Sequence, residues 1–138
     1  MFYIASPMNS KHMDYYMQRG MRIAQKLEKA GFKVYFPQRD TKQSQNSKKI
    51  FEENISAIQK SKAVVLILSN SRGIYMEAGY AKAHSKPVIG LRVGETNEMG
   101  PITRHFMDYF VNDVDDLTKL LKSFSRQAIK TALPNKKK

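Results

Sequence analysis

The chain has 138 residues, which is the usual size of a single domain and enough to bury a core without cross-links. It contains no cysteine, so disulfides and thiolate metal sites are excluded and a reducing compartment is favoured. No apolar run reaches the ~20 residues of a membrane span, and the N-terminal MFYIASP lacks the regions of a signal peptide. We therefore expect a cytoplasmic protein with no membrane partner.

The net charge of +12 raises the question of a nucleic-acid partner. The lysines are scattered over every segment, and the tight basic run is confined to Lys136–Lys138. One interpretation is a lysine-rich surface without a specific function, and the other is a positive field that attracts a small anionic substrate such as a nucleotide. Neither interpretation includes a nucleic-acid polymer as a partner.

Strands alternate with helices through the first half of the chain. The predicted elements are a strand at Met1–Ala5, a helix from a cap at Asn9 or Ser10 to about Ala30, a strand at Phe32–Pro37 and a helix at about Ile50–Lys60. Gly31 is the predicted stop of the first helix. The polar stretch Gln38–Lys49 has no apolar period and is predicted to be a loop.

The second half opens with AVVLIL (Ala63–Leu68), a continuous apolar run that is typical of a strand covered on both faces. The remaining predicted elements are a helix from Gly73 to about His84, strands at Lys86–Val93 and Asp108–Asn112, and a helix from about Asp113. We expect one α/β domain over residues 1–132, followed by a basic flexible tail at residues 133–138.

This order predicts a five-stranded parallel sheet flanked by helices, a Rossmann-like (flavodoxin-like) fold with strand order 2-1-3-4-5. Ligands of such sheets bind beyond the carboxyl ends of the strands, where the strand order reverses. Here that point lies between the first and third strands. The loops ASPMNS (residues 5–10) and SNSRGIYME (residues 69–77) are therefore predicted to line the site.

Several functions that are common on this fold lack their residues here. The sequence has neither the GxxxxGK[ST] of a phosphate-binding loop nor a GxGxxG after the first strand. The third strand also ends without the aspartate of a phospho-receiver. The histidines His12, His84 and His105 are isolated, which gives no indication of a metal site. We expect no metal and no organic cofactor.

Glu77 is the one carboxylate in the segment SNSRGIYMEAGYAKAHSKPVIGL that follows the third strand. It is predicted to lie within about the first turn of a helix, where the partial positive charge of the N-terminus favours an ionised carboxylate. Such a group is either a solvated acid at a helix start or a nucleophile that attacks an anomeric carbon, as in retaining glycoside cleavage. Position alone leaves both interpretations open.

The same segment resembles the signature of nucleoside 2-deoxyribosyltransferases and of the related 2'-deoxynucleoside 5'-phosphate N-hydrolases. The residues in register with that signature are Gly73, Glu77, Gly79 and KPVI (Lys86–Ile89). FYIASP (Phe2–Pro7) is similar to the family's first strand, and ENISAIQKSKAVV (Glu53–Val65) is similar to the segment that leads into its third strand. The resemblance extends from Phe2 to about Leu121.

The resemblance implies that Glu77 is the catalytic nucleophile and that the Tyr3 hydroxyl orients it, whereas the alternative for Tyr3 is a core aromatic. Asn54 stands where many transferases have an acid that contacts and protonates the leaving base. Asparagine can hydrogen-bond a base but cannot supply a proton, and Glu53 is expected to point elsewhere on the helix. A neighbouring subunit is expected to complete the site through Asn97, which implies a homodimer or higher homo-oligomer.

Ser71 stands where transferases of free nucleosides often have an aspartate, and the monophosphate hydrolases resemble this chain with a phosphate-binding serine. Ser71 and Arg72 would favour a phosphate group that an aspartate would repel. The further predicted contacts to the substrate are Gly73 in the same turn and Ser6, Pro7, Asn9, Ser10 and Lys11 after the first strand. Ordinary turn and capping chemistry explains these residues equally well.

The resemblance thus implies an enzyme that cleaves the N-glycosidic bond of 2'-deoxyribonucleosides through a deoxyribosyl-glutamate intermediate and transfers the sugar to another base. The alternative is a 2'-deoxynucleoside 5'-monophosphate N-hydrolase, in which water is the acceptor. A second alternative is a non-catalytic nucleotide-binding module, which Asn54 and the polar stretch Gln38–Lys49 would suit.

Overall fold

Strands and helices alternate along the chain, and the computed structural model describes residues 1–7, 13–43, 46–69, 71–92 and 99–132. The strands are β1 (Phe2–Ala5), β2 (Val34–Tyr35), β3 (Ala63–Ile67), β4 (Val88–Leu91) and β5 (Tyr109–Val111). The helices are α1 (Met13–Lys29), α2 (Pro37–Asp40), α3 (Ser47–Lys60), α4 (Arg72–Ala83), α5 (Pro101–Arg104) and α6 (Val114–Ala132). Within these ranges, no helix has the length and apolar character needed to cross a membrane.

All strand pairs are parallel, and the order in the sheet is β2-β1-β3-β4-β5. The predicted single-domain α/β fold and strand order are therefore confirmed. Helices α1 and α6 pack on one face of the sheet, and helices α3 and α4 pack on the other. The strand order reverses between β1 and β3, so the crevice beyond their carboxyl ends is the expected place for a ligand.

Alternation along the central strands distributes their side chains between these two cores. Phe2 and Ile4 of β1 pack with α1 and α6, whereas Tyr3 packs with α3 and α4. Every residue of β3 is buried, as the continuous apolar run predicted. The pleat of β1 therefore determines that Tyr3 faces the layer that contains α4.

The stretch after β2 differs from the prediction at both of its ends. The strand is shorter than Phe32–Pro37, and Pro37 occupies the first turn of α2, where a missing backbone N–H is tolerated. Helix α3 begins at Ser47 because the Asn46 side chain accepts the N–H groups of the first turn. The predicted loop Gln38–Lys49 is thus wrong for its first and last residues.

Contacts with the rest of the fold hold the four-residue α2 in place. The Arg39 guanidinium makes two hydrogen bonds of 2.9 Å to the Glu28 carboxylate on α1. The Asp40 carboxylate accepts the Phe36 N–H at 2.8 Å. Because so short a helix has almost no stability of its own, it relies on the pair with Glu28 and on this local hydrogen bond at its start.

The end of α1, both ends of α4 and the start of α6 agree with the prediction to within one residue. Gly31 has φ +97° and follows the end of α1, in the left-handed conformation that favours glycine. The predicted N-terminal caps Asn9 and Ser10 lie outside the described residues, as does the predicted tail at residues 133–138.

Candidate active site

Tyr3 and Tyr35 lie side by side on the sheet face that packs against α3 and α4. The register of β1 and β2 pairs them as direct neighbours, and both belong to that core. Their ring centroids are 5.8 Å apart with an interplanar angle of 11°, a stacked arrangement that is favourable beyond the area it buries. Tyr3 is fully buried at 0% exposure, so its ring position is fixed from several sides.

The Tyr3 hydroxyl donates a hydrogen bond of 2.5 Å to Oε2 of Glu77. Tyr3 is therefore a core aromatic that also donates a hydrogen bond to Glu77. It is the second residue of β1, and its long side chain brings the hydroxyl to the carboxylate. The other carboxylate oxygen, Oε1, makes no hydrogen bond among the described residues and is not fully buried.

Glu77 occupies the edge of the stripe by which α4 contacts the sheet. Ile74, Ala78 and Ala81 form that buried stripe, and Glu77 lies three or four residues from two of them, as neighbours on one helix face do. It is the sixth residue of α4, and the first turn contains no acid. The predicted first-turn position is therefore wrong, and the residue lies near the limit of the helix dipole's influence.

Burial raises the pKa of Glu77 to about 7, although the hydrogen bond from Tyr3 acts in the opposite direction. The prediction that the helix terminus favours the ionised form is thus wrong, because desolvation exceeds it. The pKa of Tyr3 is raised as well, chiefly by its burial and then by the neighbouring carboxylate. Tyr3 therefore remains a donor, and Glu77 titrates in the neutral range.

The turn between β3 and α4 is organised by Ser69. Its hydroxyl accepts the Ser71 N–H at 3.1 Å, and its carbonyl accepts the Tyr75 hydroxyl at 2.9 Å. Ser71 occupies the N-cap position of α4, but its own hydroxyl makes no capping hydrogen bond. Capping therefore does not account for the Ser71 hydroxyl, and Arg72 and Gly73 beside it are exposed.

The described start of the loop after β1 is buried. Gln38 Nε2 donates to the carbonyl oxygens of Ser6 and Pro7 at 3.2 and 3.1 Å. Ser6 Oγ and Gln38 Oε1 are fully buried and have no hydrogen-bond partner in the described part of the chain. Orphaned polar groups of this kind are expected at a ligand site, because a ligand can satisfy them. Gln38 was missed by the sequence prediction because it lay in a stretch predicted as loop.

Asn54 is buried on α3, at 7% exposure, where its side chain is part of a hydrogen-bonded chain. Its Oδ1 accepts from the Thr41 hydroxyl at 2.6 Å, and Thr41 Oγ1 lies 2.7 Å from the Tyr35 hydroxyl. Glu53 is exposed, and its carboxylate accepts the Lys42 N–H at 3.4 Å. Asn54 is thus connected through Thr41 to Tyr35, the tyrosine that stacks on Tyr3. The Glu53 side chain is exposed and is not part of this chain of hydrogen bonds.

Four predicted contacts, Asn9, Ser10, Lys11 and Asn97, lie outside the described residues. In the ranges that are described, no three His, Asp or Glu side chains are grouped so that they could hold a metal ion. The described site therefore consists of the buried Tyr3 with the partly buried Glu77, an asparagine connected to them through Thr41 and Tyr35, and two polar turns. These groups suit nucleophilic attack on an electrophilic carbon of a polar ligand.

Comparisons with known proteins give a consistent result. The family model for nucleoside 2-deoxyribosyltransferase matches residues 2–120. The structure of a 2-deoxyribosyltransferase from Bacillus psychrosaccharolyticus is similar with a TM-score of 0.67 at 16% identity, over 85% of this chain and 89% of that chain. A 2-deoxyribosyltransferase structure from Leishmania mexicana gives 0.53 at 23% identity, over 65% and 62%. No curated protein matches significantly.

Proposed function

Because this chain belongs to the nucleoside 2-deoxyribosyltransferase family, we propose that it cleaves the N-glycosidic bond of 2'-deoxyribonucleosides and transfers the sugar to another base. The observation that carries the proposal is the 2.5 Å hydrogen bond from Tyr3 to Glu77 Oε2, which leaves Oε1 without a partner among the residues that the structure describes. One carboxylate oxygen is thus held and the other is available to react.

In the proposed reaction, Oε1 of Glu77 attacks C1' of the deoxyribose while the bond from C1' to the base nitrogen breaks. The electron pair of that bond leaves with the base, and the sugar remains on Glu77 as an ester. A nitrogen of a second base then attacks C1' and releases the carboxylate. Two successive displacements return the original configuration at C1', as in retaining glycoside cleavage.

Tyr3 is the proposed orienting residue for this nucleophile. Its buried ring, stacked on Tyr35, fixes the hydroxyl, and the hydroxyl fixes the carboxylate rotamer. Restriction of a reacting group to one geometry supplies part of the rate, because the entropy is lost before the reaction. With a pKa of about 7, Glu77 is roughly half ionised at neutral pH, and only the ionised fraction attacks.

Asn54 is the proposed contact to the base. An amide cannot transfer a proton at neutral pH, and the Glu53 carboxylate is bonded to the Lys42 backbone. We therefore infer that the departing base takes its proton from solvent. A second subunit that contributes Asn97 is part of the same proposal, and light scattering of the purified protein should then give at least a dimer.

A second candidate reaction is hydrolysis of 2'-deoxynucleoside 5'-monophosphates, with water in place of the second base. The observation that favours it is the Ser71 hydroxyl, which stands at the N-terminus of α4 without a capping bond and beside the exposed Arg72. A helix N-terminus with a hydroxyl and a guanidinium suits a phosphate group. In this reaction Ser71, Arg72 and Gly73 hold the 5' end of the substrate.

Base release from the four deoxynucleosides and their 5'-monophosphates, followed by chromatography with and without a second free base, tests both candidates. A new nucleoside supports the transferase, and base release from monophosphates alone supports the hydrolase. Glu77→Ala should lose activity by orders of magnitude, whereas Glu52→Gln, at an exposed position on α3, should not. Substrate binding without base release in the wild type would instead indicate a non-catalytic binding module.

A further inference from the structure

A chain of three polar side chains runs from the partly buried Tyr35 through the buried Thr41 to the buried Asn54, and we refer to it as the Tyr35–Thr41–Asn54 relay. Its two hydrogen bonds measure 2.7 and 2.6 Å. Thr41 is 3% exposed and Asn54 is 7% exposed. The three residues come from β2, from the end of α2 and from α3. Polar groups buried in this way need their partners, since a lost partner costs more than the hydrogen bond itself gains.

The direction of the hydrogen bonds follows from the number of available hydrogens. Thr41 and Tyr35 each have one hydroxyl hydrogen. When Thr41 donates to Asn54 Oδ1, Tyr35 donates to Thr41 and both hydrogens are used. The single Thr41 hydrogen is used in the bond to Asn54 Oδ1, so Thr41 has none left to donate to Tyr35. The relay therefore runs from Tyr35 to Asn54, and it occupies the oxygen of the Asn54 carboxamide.

The nitrogen of the same carboxamide remains available. Asn54 Nδ2 makes no hydrogen bond among the described residues, and it is not one of their fully buried, unpartnered atoms. The relay begins at Tyr35, whose ring stacks on Tyr3, and Tyr3 holds Glu77. The free NH2 group thus belongs to the same cluster of side chains as the nucleophile.

We propose that Thr41 and Tyr35 are positioning residues that fix Asn54 with its NH2 group toward the leaving base, and that this selects bases with an acceptor atom at the contact. The inference rests on the proposed function. A carbonyl oxygen or unprotonated ring nitrogen can accept this hydrogen bond, whereas an exocyclic amino group cannot. As the glycosidic bond breaks, negative charge develops on the base, and a donor that is already oriented stabilises it.

Without the relay, the carboxamide can turn over and present its oxygen instead. A base with an amino group at the contact would then bind as well as one with an acceptor. Loss of the Thr41 hydroxyl should therefore lower kcat/KM on the preferred substrates. It should also reduce the difference in kcat/KM between substrates that carry different bases. If Thr41 has only a structural role, its loss should lower the stability of the fold and leave the ratio of kcat/KM between substrates with different bases unchanged. This kcat/KM ratio therefore distinguishes the two roles.

The test is a double-mutant cycle with Thr41→Val and Asn54→Ala, with kcat/KM for base release measured on each deoxynucleoside and 5'-monophosphate. Thr41→Val should lower kcat/KM on the best substrate about five- to tenfold, the effect of one hydrogen bond. Thr41→Ser should restore it to within about twofold. In the Asn54→Ala background the same change should have almost no effect, because Thr41 acts through Asn54.

Tyr35→Phe is the second variant, since it keeps the ring stacked on Tyr3 and removes only the first donor of the relay. Like Thr41→Val, it should reduce the ratio of kcat/KM between the preferred base and the other bases. The proposal therefore remains testable if Thr41→Val does not fold. The proposal would be overturned if Thr41→Val and Tyr35→Phe both had the kcat/KM of the wild type and the same ratio of kcat/KM between bases. It would also be overturned if Thr41→Val lowered kcat/KM by the same factor in the wild-type protein and in the Asn54→Ala variant.

Absence of base release from every substrate by the wild type would contradict the proposed function and not yet the relay. The side-chain NH2 signals of Asn54 in ¹⁵N-labelled protein then provide the test, in titrations with the same 5'-monophosphates. The relay predicts that these signals shift in the wild type and in Thr41→Ser, and shift less in Thr41→Val. Unchanged signals in the wild type would contradict the relay too.

Discussion

Replacement of Glu77 by glutamine should stabilise the protein above pH 7 and leave its stability almost unchanged below pH 4.5. Burial raises the pKa of Glu77 from its ordinary value of 4.5 to about 7 in the folded protein. Between these two values the folded state binds a proton that the unfolded state has released. The stability of the wild type therefore falls as the pH rises through this window. Glutamine has no proton to lose and still accepts the Tyr3 hydrogen bond through its oxygen.

The magnitude follows from the pKa difference. At about 1.4 kcal/mol for each pKa unit, the shift of Glu77 corresponds to roughly 3 kcal/mol of unfolding free energy once the carboxylate is fully ionised. This is an upper value, because Glu77 keeps partial contact with solvent and water stabilises the charge there. For a chain of this size the gain corresponds to about 10 °C in Tm.

The assay is urea unfolding followed by circular dichroism at intervals from pH 4 to pH 9. The difference between Glu77→Gln and the wild type should be near zero at pH 4, increase through pH 5–7 and level off above that. Glu52→Gln on the exposed face of α3 is the matched control and should not reproduce this increase. A difference that is constant with pH would refute the argument, because glutamine would then act through packing and not through the ionisation of Glu77.

Three further predictions concern the same fold and site. If Glu77 is the nucleophile, kcat/KM for base release should increase with pH and level off above about pH 7, where the pKa of Glu77 lies. Initial rates measured from pH 5 to pH 9 check this, and a decrease of kcat/KM with pH would contradict it. Tyr3→Phe keeps the ring and removes the hydrogen bond that lowers the pKa of Glu77, so that rise should move to higher pH and the rate at pH 7 should fall; an unmoved profile would count against the orienting role. Gly20→Ala should destabilise the fold by about 1–2 kcal/mol in urea unfolding, because its Cβ would lie 2.5 Å from Cζ of the fully buried Phe36. Gly79→Ala, with open space around its Cβ, is the control and should be neutral or stabilising by up to about 1 kcal/mol.

The sheet could be predicted from the sequence because its signals are local and strong. A strand that is buried on both faces requires a continuous apolar run, and AVVLIL provides one. Alternation of strands with helices leaves few other topologies. The pairing of Tyr3 with Glu77 was implied by the family resemblance, and the register of β1 with β3 explains how the two side chains meet.

The stretch around α2 could not be predicted, and it contains the residues that the site prediction missed. Its helix depends on the Arg39–Glu28 pair, whose members are 11 residues apart and unrelated by any local pattern. Gln38 and Thr41 therefore looked like polar loop residues. Their contacts, to the Ser6 carbonyl and to Asn54, join segments that are distant in the sequence. Only the folded chain reveals such partners.

The ionisation of Glu77 is a further case in which sequence position was insufficient. The dipole of a helix terminus contributes at most ~2 kcal/mol and decreases within one turn, and Glu77 lies in the second turn of α4. Burial between the sheet and α4 has the opposite effect and exceeds it, which is why the pKa of Glu77 is raised. Burial depends on tertiary packing, so its effect could not be estimated from the local pattern.

The raised pKa of Glu77 connects the stability of the fold to the chemistry proposed for it. A carboxylate with the ordinary pKa of 4.5 would be fully ionised at pH 7, whereas one with a pKa of about 7 is ionised in only about half of the molecules. That loss is only twofold in rate, and the remaining carboxylate is poorly solvated and more basic, which favours bond formation to carbon. The cost in stability is larger, at roughly 3 kcal/mol out of a typical 5–15 kcal/mol. The fully buried β3 and the two cores on either side of it offset that cost. We therefore expect replacement of Glu77 by an uncharged residue such as glutamine to lower the activity and raise the stability at neutral pH, a trade-off that is common at active sites.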